Sequence, residues 1–132
     1  MILNPQQENK VIDTLSRLSH PVILRVYSNT PDDSSTLATM DLVHYTASLA
    51  PATISGQLLP IDDTSLHDPT LTIGNPQGRI LGVQFVGTPS GLEYQVLIDA
   101  IVAFAQAELI PQDPLLREIR HPVAVKIFVA PT

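Results

Sequence analysis

The segment Val22-Ile23-Leu24-Arg25-Val26-Tyr27 constrains the fold more than any other stretch of this sequence. It is apolar at nearly every position and lacks the alternation of a strand that keeps one face wet, so it reads as a central strand. A central strand needs neighbours on both edges and apolar cover, and the flanking sequence offers both. Asn4 followed by Pro5 is a helix start, an asparagine cap with proline at the first helical position, and Val11, Ile12, Leu15 and Leu18 then recur at helical spacing. After Tyr27, the polar stretch Ser28 to Ser35 supplies Asp32, Asp33 or Ser34 as the cap of a second helix. The apolar face of that helix is read as Leu37, Met40, Val43 or His44, and Ala47.

A second strand is expected around Thr53 to Leu59, followed by a polar loop from Pro60 to Asp68 and a strand opened by Pro69 and running to Ile73. Asn75-Pro76-Gln77-Gly78 carries the turn residues of a hairpin whose partner strand is Ile80 to Val86. Gly87-Thr88-Pro89-Ser90-Gly91 breaks that strand. From Val96 to Ala105 the sequence is apolar around most of a helix, which predicts a helix sandwiched between layers. Asp113-Pro114 opens a last short helix that closes on Arg117 and Arg120, and Val123 to Val129 reads as one more strand. The order predicts an α/β domain over residues 1–120 with a mixed four-stranded central sheet flanked by helices. At 132 residues and 44% hydrophobic content, the chain has enough apolar material for one continuous core.

Charge and composition exclude several classes of function. A net charge of −6 with only seven Lys and Arg leaves no basic stripe for nucleic acid or for an anionic membrane. No run of 18 or more apolar residues occurs, and the first ten residues lack the basic and apolar regions of a signal peptide, so a soluble, cytoplasmic protein is expected. With zero cysteines there is no disulfide, no thiolate catalysis and no Cys-based metal site. The histidines His20, His44, His67 and His121 show no HxxxH or HExxH spacing, no serine sits in a nucleophile elbow, and neither GxGxxG nor GxxxxGK[ST] is present.

His20-Pro21-Val22-Ile23-Leu24-Arg25-Val26-Tyr27 recurs as His121-Pro122-Val123-Ala124-Val125-Lys126-Ile127-Phe128, at an offset of 101 residues. Residues 121–132 therefore read as the first strand of a second copy of the fold. Asp68-Pro69-Thr70-Leu71-Thr72-Ile73 looks like the proline-initiated strand of a thioredoxin-like fold. Phe85-Val86-Gly87-Thr88-Pro89-Ser90-Gly91-Leu92-Glu93-Tyr94 resembles the phenylalanine–glycine–proline–glycine–glutamate–aromatic segment in the N-terminal tandem thioredoxin-like region of the F component of alkyl hydroperoxide reductase. Archaeal protein disulfide oxidoreductases of tandem-glutaredoxin type are similar but carry this segment less clearly.

The resemblance implies a cis Pro69 set between Asp68 and Thr70, with Gly87, Pro89 and Gly91 as structural residues of the second segment. It also implies that Glu93 is an auxiliary acid or base at the dithiol of a neighbouring fold. In that family the first fold has lost its own dithiol, and here the corresponding loop is Ser28-Asn29-Thr30-Pro31-Asp32-Asp33-Ser34, which cannot exchange thiols. The expectation is a non-catalytic half-module of a disulfide reductase, a fragment of a longer chain or else a natural short protein. Its partners would be a second thioredoxin-like fold and a reductase core, or a second copy in a homodimer. FAD and NAD(P)H are implied for the parent only, with no cofactor in this chain. Other readings stay open. Ser90-Gly91-Leu92-Glu93 also spells a capping box, which would give Glu93 a purely local role. A free-standing module that binds extended peptides is one alternative function. A small enzyme using Glu93 with Asp32 and Asp33 is another, and it would need a deep pocket joining them.

Overall fold

A computed structural model describes residues 3–62 and 66–106. Its elements are α1 (Pro5–Ser16), β1 (Val22–Tyr27), α2 (Ser34–Leu49), β2 (Ile54–Leu59), β3 (Thr70–Gly74), β4 (Ile80–Val86) and α3 (Leu92–Ala105). The expected helix after Asp113, the strand at 123–129 and the second-copy boundary at 121 lie outside the described residues. The strands form one mixed sheet in the order β2-β1-β3-β4, with β1 parallel to β2 and β3 antiparallel to both β1 and β4. The β1 segment is therefore central, as its composition requires.

Strand register decides which side chains meet. Leu24 lies opposite Ile73 and Val26 opposite Leu71, while Val22 and Leu24 face Ile54 and Gly56 across the parallel pairing. These residues share one face of the sheet, and Leu24, Val26, Leu71 and Ile73 are wholly buried there. The α2 helix contacts β1 and β2, α3 contacts β3, and α1 touches both other helices. The result is a helix layer on a sheet with one core between them.

Local chemistry fixes the helix starts. Asn4 Oδ1 accepts from Gln7 N at 2.8 Å and Gln7 Oε1 accepts from Asn4 N at 3.1 Å, a capping box with Pro5 at the first turn. Of the three candidate caps for α2, Asp33 takes the position, accepting from Ser35 N at 3.0 Å. In the hairpin turn Asn75 Oδ1 accepts from Gln77 N and Arg79 N, and Gly78 adopts φ 89°, a left-handed conformation that glycine tolerates. The Tyr45 hydroxyl donates to Glu8 at 2.6 Å and ties α2 to α1. Partial burial and the adjacent carboxylate push that hydroxyl up to about 12.

Two helix readings are corrected. Met40, Val43 and Ala47 of the expected α2 stripe do face the core, but Leu37 is half exposed and His44 exposed, and the buried positions also include Thr36, Thr39, Leu42 and Thr46. The face extends beyond the stripe that apolar spacing predicts, and the buried threonines on it find partners. Thr39 donates to Ser35 O and Thr46 to Leu42 O, each at 2.8 Å. Thr46 also meets the Tyr94 hydroxyl at 2.8 Å, and Thr39 meets Thr88 at the same distance. Satisfied hydroxyls remove the cost that keeps threonine out of a core. The α3 helix begins at Leu92 rather than Val96, and among the described residues it is buried along one face only. Tyr94, Leu97, Ile98, Ile101 and Phe104 are buried, while Leu92 and Val96 are 73% and 54% exposed. Its cap is Gly91 at φ 62° with no side-chain cap bond, so the Ser90–Glu93 capping box does not form.

Candidate functional site

The site is assembled from three loops at one end of the sheet. Ser28 N donates to Leu59 O at 2.9 Å, which extends the parallel pairing by one residue before the chain turns. Asp33 N bonds Thr30 O at 3.0 Å, and α2 begins. From the other side, the chain returns to β3 through Asp68-Pro69, whose peptide bond is cis. The third loop follows β4: Gly87 N donates to Pro69 O at 3.1 Å, and Thr88 packs on Thr39 and Ser35 at the head of α2.

At the centre stands the Asp68 carboxylate. Ser28 Oγ donates to Oδ1 at 2.5 Å, Asn29 N donates to Oδ2 at 3.0 Å, and Thr30 Oγ1 lies 3.2 Å from both oxygens. With its proton committed to Asp68, Ser28 Oγ can only accept from Thr30 N at 3.0 Å and from Thr36 Oγ1 at 2.9 Å. The Asn29 side chain in turn clasps Ile61, accepting from its N–H at 2.9 Å and donating to its carbonyl at 3.4 Å. The Ser28 hydroxyl holds the Asp68 carboxyl below the usual carboxylate range; the Asn29 N–H and the Thr30 hydroxyl add to the effect, and partial desolvation opposes it.

A depressed folded-state value means that the clamp stabilises the fold above the ordinary aspartate range, near about pH 4. That stability is lost as pH falls through the folded-state value. The urea midpoint of the protein should therefore exceed that of Asp68→Asn near neutrality, and the gap should narrow as pH falls below about 4, the ordinary aspartate value. A gap independent of pH would show that the carboxylate charge contributes nothing.

The structure brings Asp68, Pro69, Thr70 and the Gly87 loop together. Pro69 and Pro89 are buried, Thr70 is fully buried with its hydroxyl donating to His67 O at 2.5 Å, and Gly87 takes φ 84°. Gly91 caps α3 at the far end of the same loop. Glu93 follows it in the first turn of α3, partly exposed, and among the described residues its side chain makes no hydrogen bond to the Asp68 cluster. A shallow groove of about 320 Å³ adjoins the site, lined by Ser28, Asn29, Pro31, Leu58, Leu59 and Pro60. Its lining includes neither Glu93 nor Asp32 nor Asp33. Sequence reading named Asp68 and the Ser28–Ser34 loop separately, but not that Ser28, Asn29 and Thr30 bond Asp68 or that Thr36 backs Ser28. The one available signal was a hydroxyl-rich stretch directly after a central strand.

Among the described residues no helix is long and apolar enough to cross a membrane, and no group of three His, Asp or Glu side chains is placed to hold a metal ion. No family model matches the sequence, and no curated relative matches it. Solved structures do. The alkylhydroperoxide reductase AhpF of Enterococcus faecalis, as its C503A mutant, superposes with a TM-score of 0.72 at 19% identity, over 89% of this chain and 59% of that one. The NTD_N/C domain of the same reductase gives 0.71 at 19% identity, over 88% and 58%. A protein disulfide oxidoreductase from Aeropyrum pernix gives 0.65 at 18% identity, over 86% and 52%. The chain spans little more than half the length of these solved chains. With the mixed sheet, the cis proline at the head of β3 and these superpositions, the chain has a thioredoxin-like fold, the fold of the N-terminal domain of the alkylhydroperoxide reductase AhpF.

Proposed function

We propose that this chain is a non-catalytic thioredoxin-like half-module of a disulfide reductase, supporting thiol–disulfide electron transfer by a neighbouring dithiol fold. The observation that carries the reading is the Ser28–Asp68 cluster. The loop after the first central strand is where the resemblance leads one to expect a dithiol, and here it is filled by hydroxyls and a carboxylate in mutual hydrogen bonds. Such a loop has no thiolate with which to attack a disulfide. The partner is a second thioredoxin-like fold joined to a reductase core, and FAD and NAD(P)H belong to that core. Glu93, on the α3 turn next to the site loops, is the residue proposed to exchange a proton with the partner's dithiol.

The test compares this chain with the polypeptide encoded by its full gene, each supplied with a nicotinamide-dependent reductase core, by following disulfide reduction. The short chain is expected to transfer no electrons, and Glu93→Gln in the longer polypeptide is expected to slow turnover by about 10²-fold. A full gene without a dithiol, or tight binding of extended peptides by the short chain alone, would replace this reading with the free-standing binding module.

A further inference from the structure

Three donors on consecutive residues converge on one carboxylate: Ser28 Oγ at 2.5 Å, Asn29 N at 3.0 Å and Thr30 Oγ1 at 3.2 Å. Each is held in place by groups other than Asp68. Ser28, 4% exposed, is fixed by the fully buried Thr36 hydroxyl and by Thr30 N. Asn29 is anchored through its side chain to both backbone groups of Ile61. Thr30 O accepts from Asp33 N, which sets the turn into α2. The Thr30 hydroxyl also lies 3.3 Å from Ser28 Oγ, and none of these supporting contacts involves Asp68. One donor directed at each oxygen, with the Thr30 hydroxyl shared between the two, matches a carboxylate, an acceptor-only group with several lone-pair sites.

We propose that the Ser28–Thr30 turn is a preformed carboxylate receptor that the chain keeps occupied with its own Asp68, closed to outside carboxylates while Asp68 is in place and open to a small monocarboxylate when it is removed. The contact is autoinhibitory in kind, since an acidic group of a partner enters only by displacing Asp68. A net charge of −6 on the chain disfavours multiply charged anions, so the occupant carries a single negative charge. The inference does not depend on the redox half-module reading.

The probe is sodium formate, with sodium chloride at equal ionic strength as control. Formate should raise the melting temperature of Asp68→Ala saturably, by about 3–5 °C. It should leave the unmodified chain and the double variant Ser28→Ala/Asp68→Ala unchanged. No formate-specific rise in Asp68→Ala, or an equal rise in the unmodified chain, overturns the proposal. If Asp68→Ala does not fold, Asp68→Asn carries the test by amide hydrogen exchange. Exchange at Asn29 should then be at least about tenfold faster than in the unmodified chain, because its N–H loses a charged acceptor. Unchanged exchange overturns the proposal in that arm.

Discussion

Replacing Leu97 with alanine is expected to lower the free energy of unfolding by about 3–4 kcal/mol. Leu97 is wholly buried on the inner face of α3, within the cluster that also contains Leu15, Leu24, Leu71, Ile73 and Ile101. The α3 helix contacts β3 and α1, so Leu97 lies where helix layer and sheet close on one another. Truncation removes three heavy atoms from water-free surroundings and leaves a hole that a packed sheet fills poorly. Against the roughly 5–15 kcal/mol that stabilises a typical domain, the loss is large. Urea denaturation followed by circular dichroism measures it directly. A change below about 1 kcal/mol would mean that α3 repacks and is not held by this contact.

Gly56→Ala is expected to cost about 2–3 kcal/mol, although alanine is ordinarily tolerated in strands. Gly56 lies in β2 opposite Leu24, and a Cβ there would collide with Val43 Cγ1 on α2. Val43 is fully buried and β-branched, so in a helix it has essentially one side-chain rotamer and cannot swing aside. The glycine thus sets how closely α2 approaches the sheet. Combining Gly56→Ala with Val43→Ala should recover part of the loss, and equilibrium unfolding of the four proteins gives the coupling. Strict additivity would show that the two residues do not compete for the same space.

Much of the architecture was legible from the chain itself, for reasons specific to particular residues. Asn4-Pro5 announces a capped helix because the bonds of such a cap are local. The turn at Asn75 to Gly78 is legible for the same reason, since Asn75 Oδ1 closes on N–H groups only two and four residues away. The β1 segment declared its central place through apolar content alone. The α2 face was only partly legible, in Met40, Val43 and Ala47, because apolar spacing cannot know that Thr46 will meet Tyr94, 48 residues later, or that Thr39 will meet Thr88. At α3 the apolar composition implied cover on all sides, yet Leu92 and Val96 stand exposed. Composition reports how apolar a helix is, not which neighbours reach it.

The candidate site divides along the same line. Sequence by itself determined that no thiol chemistry resides in this chain, that Asp68 precedes a strand-opening proline, and that hydroxyl groups follow the central strand, because these are matters of residue identity. Only the tertiary structure decided that Asp68 closes on Ser28, Asn29 and Thr30 across about forty residues of chain. The pairing of β1 with both β2 and β3 brings the two loops to one end of the sheet. Hydrogen bonds between distant loops depend on strand order and register, and those are settled by the burial of the whole apolar face rather than by any local run of residues.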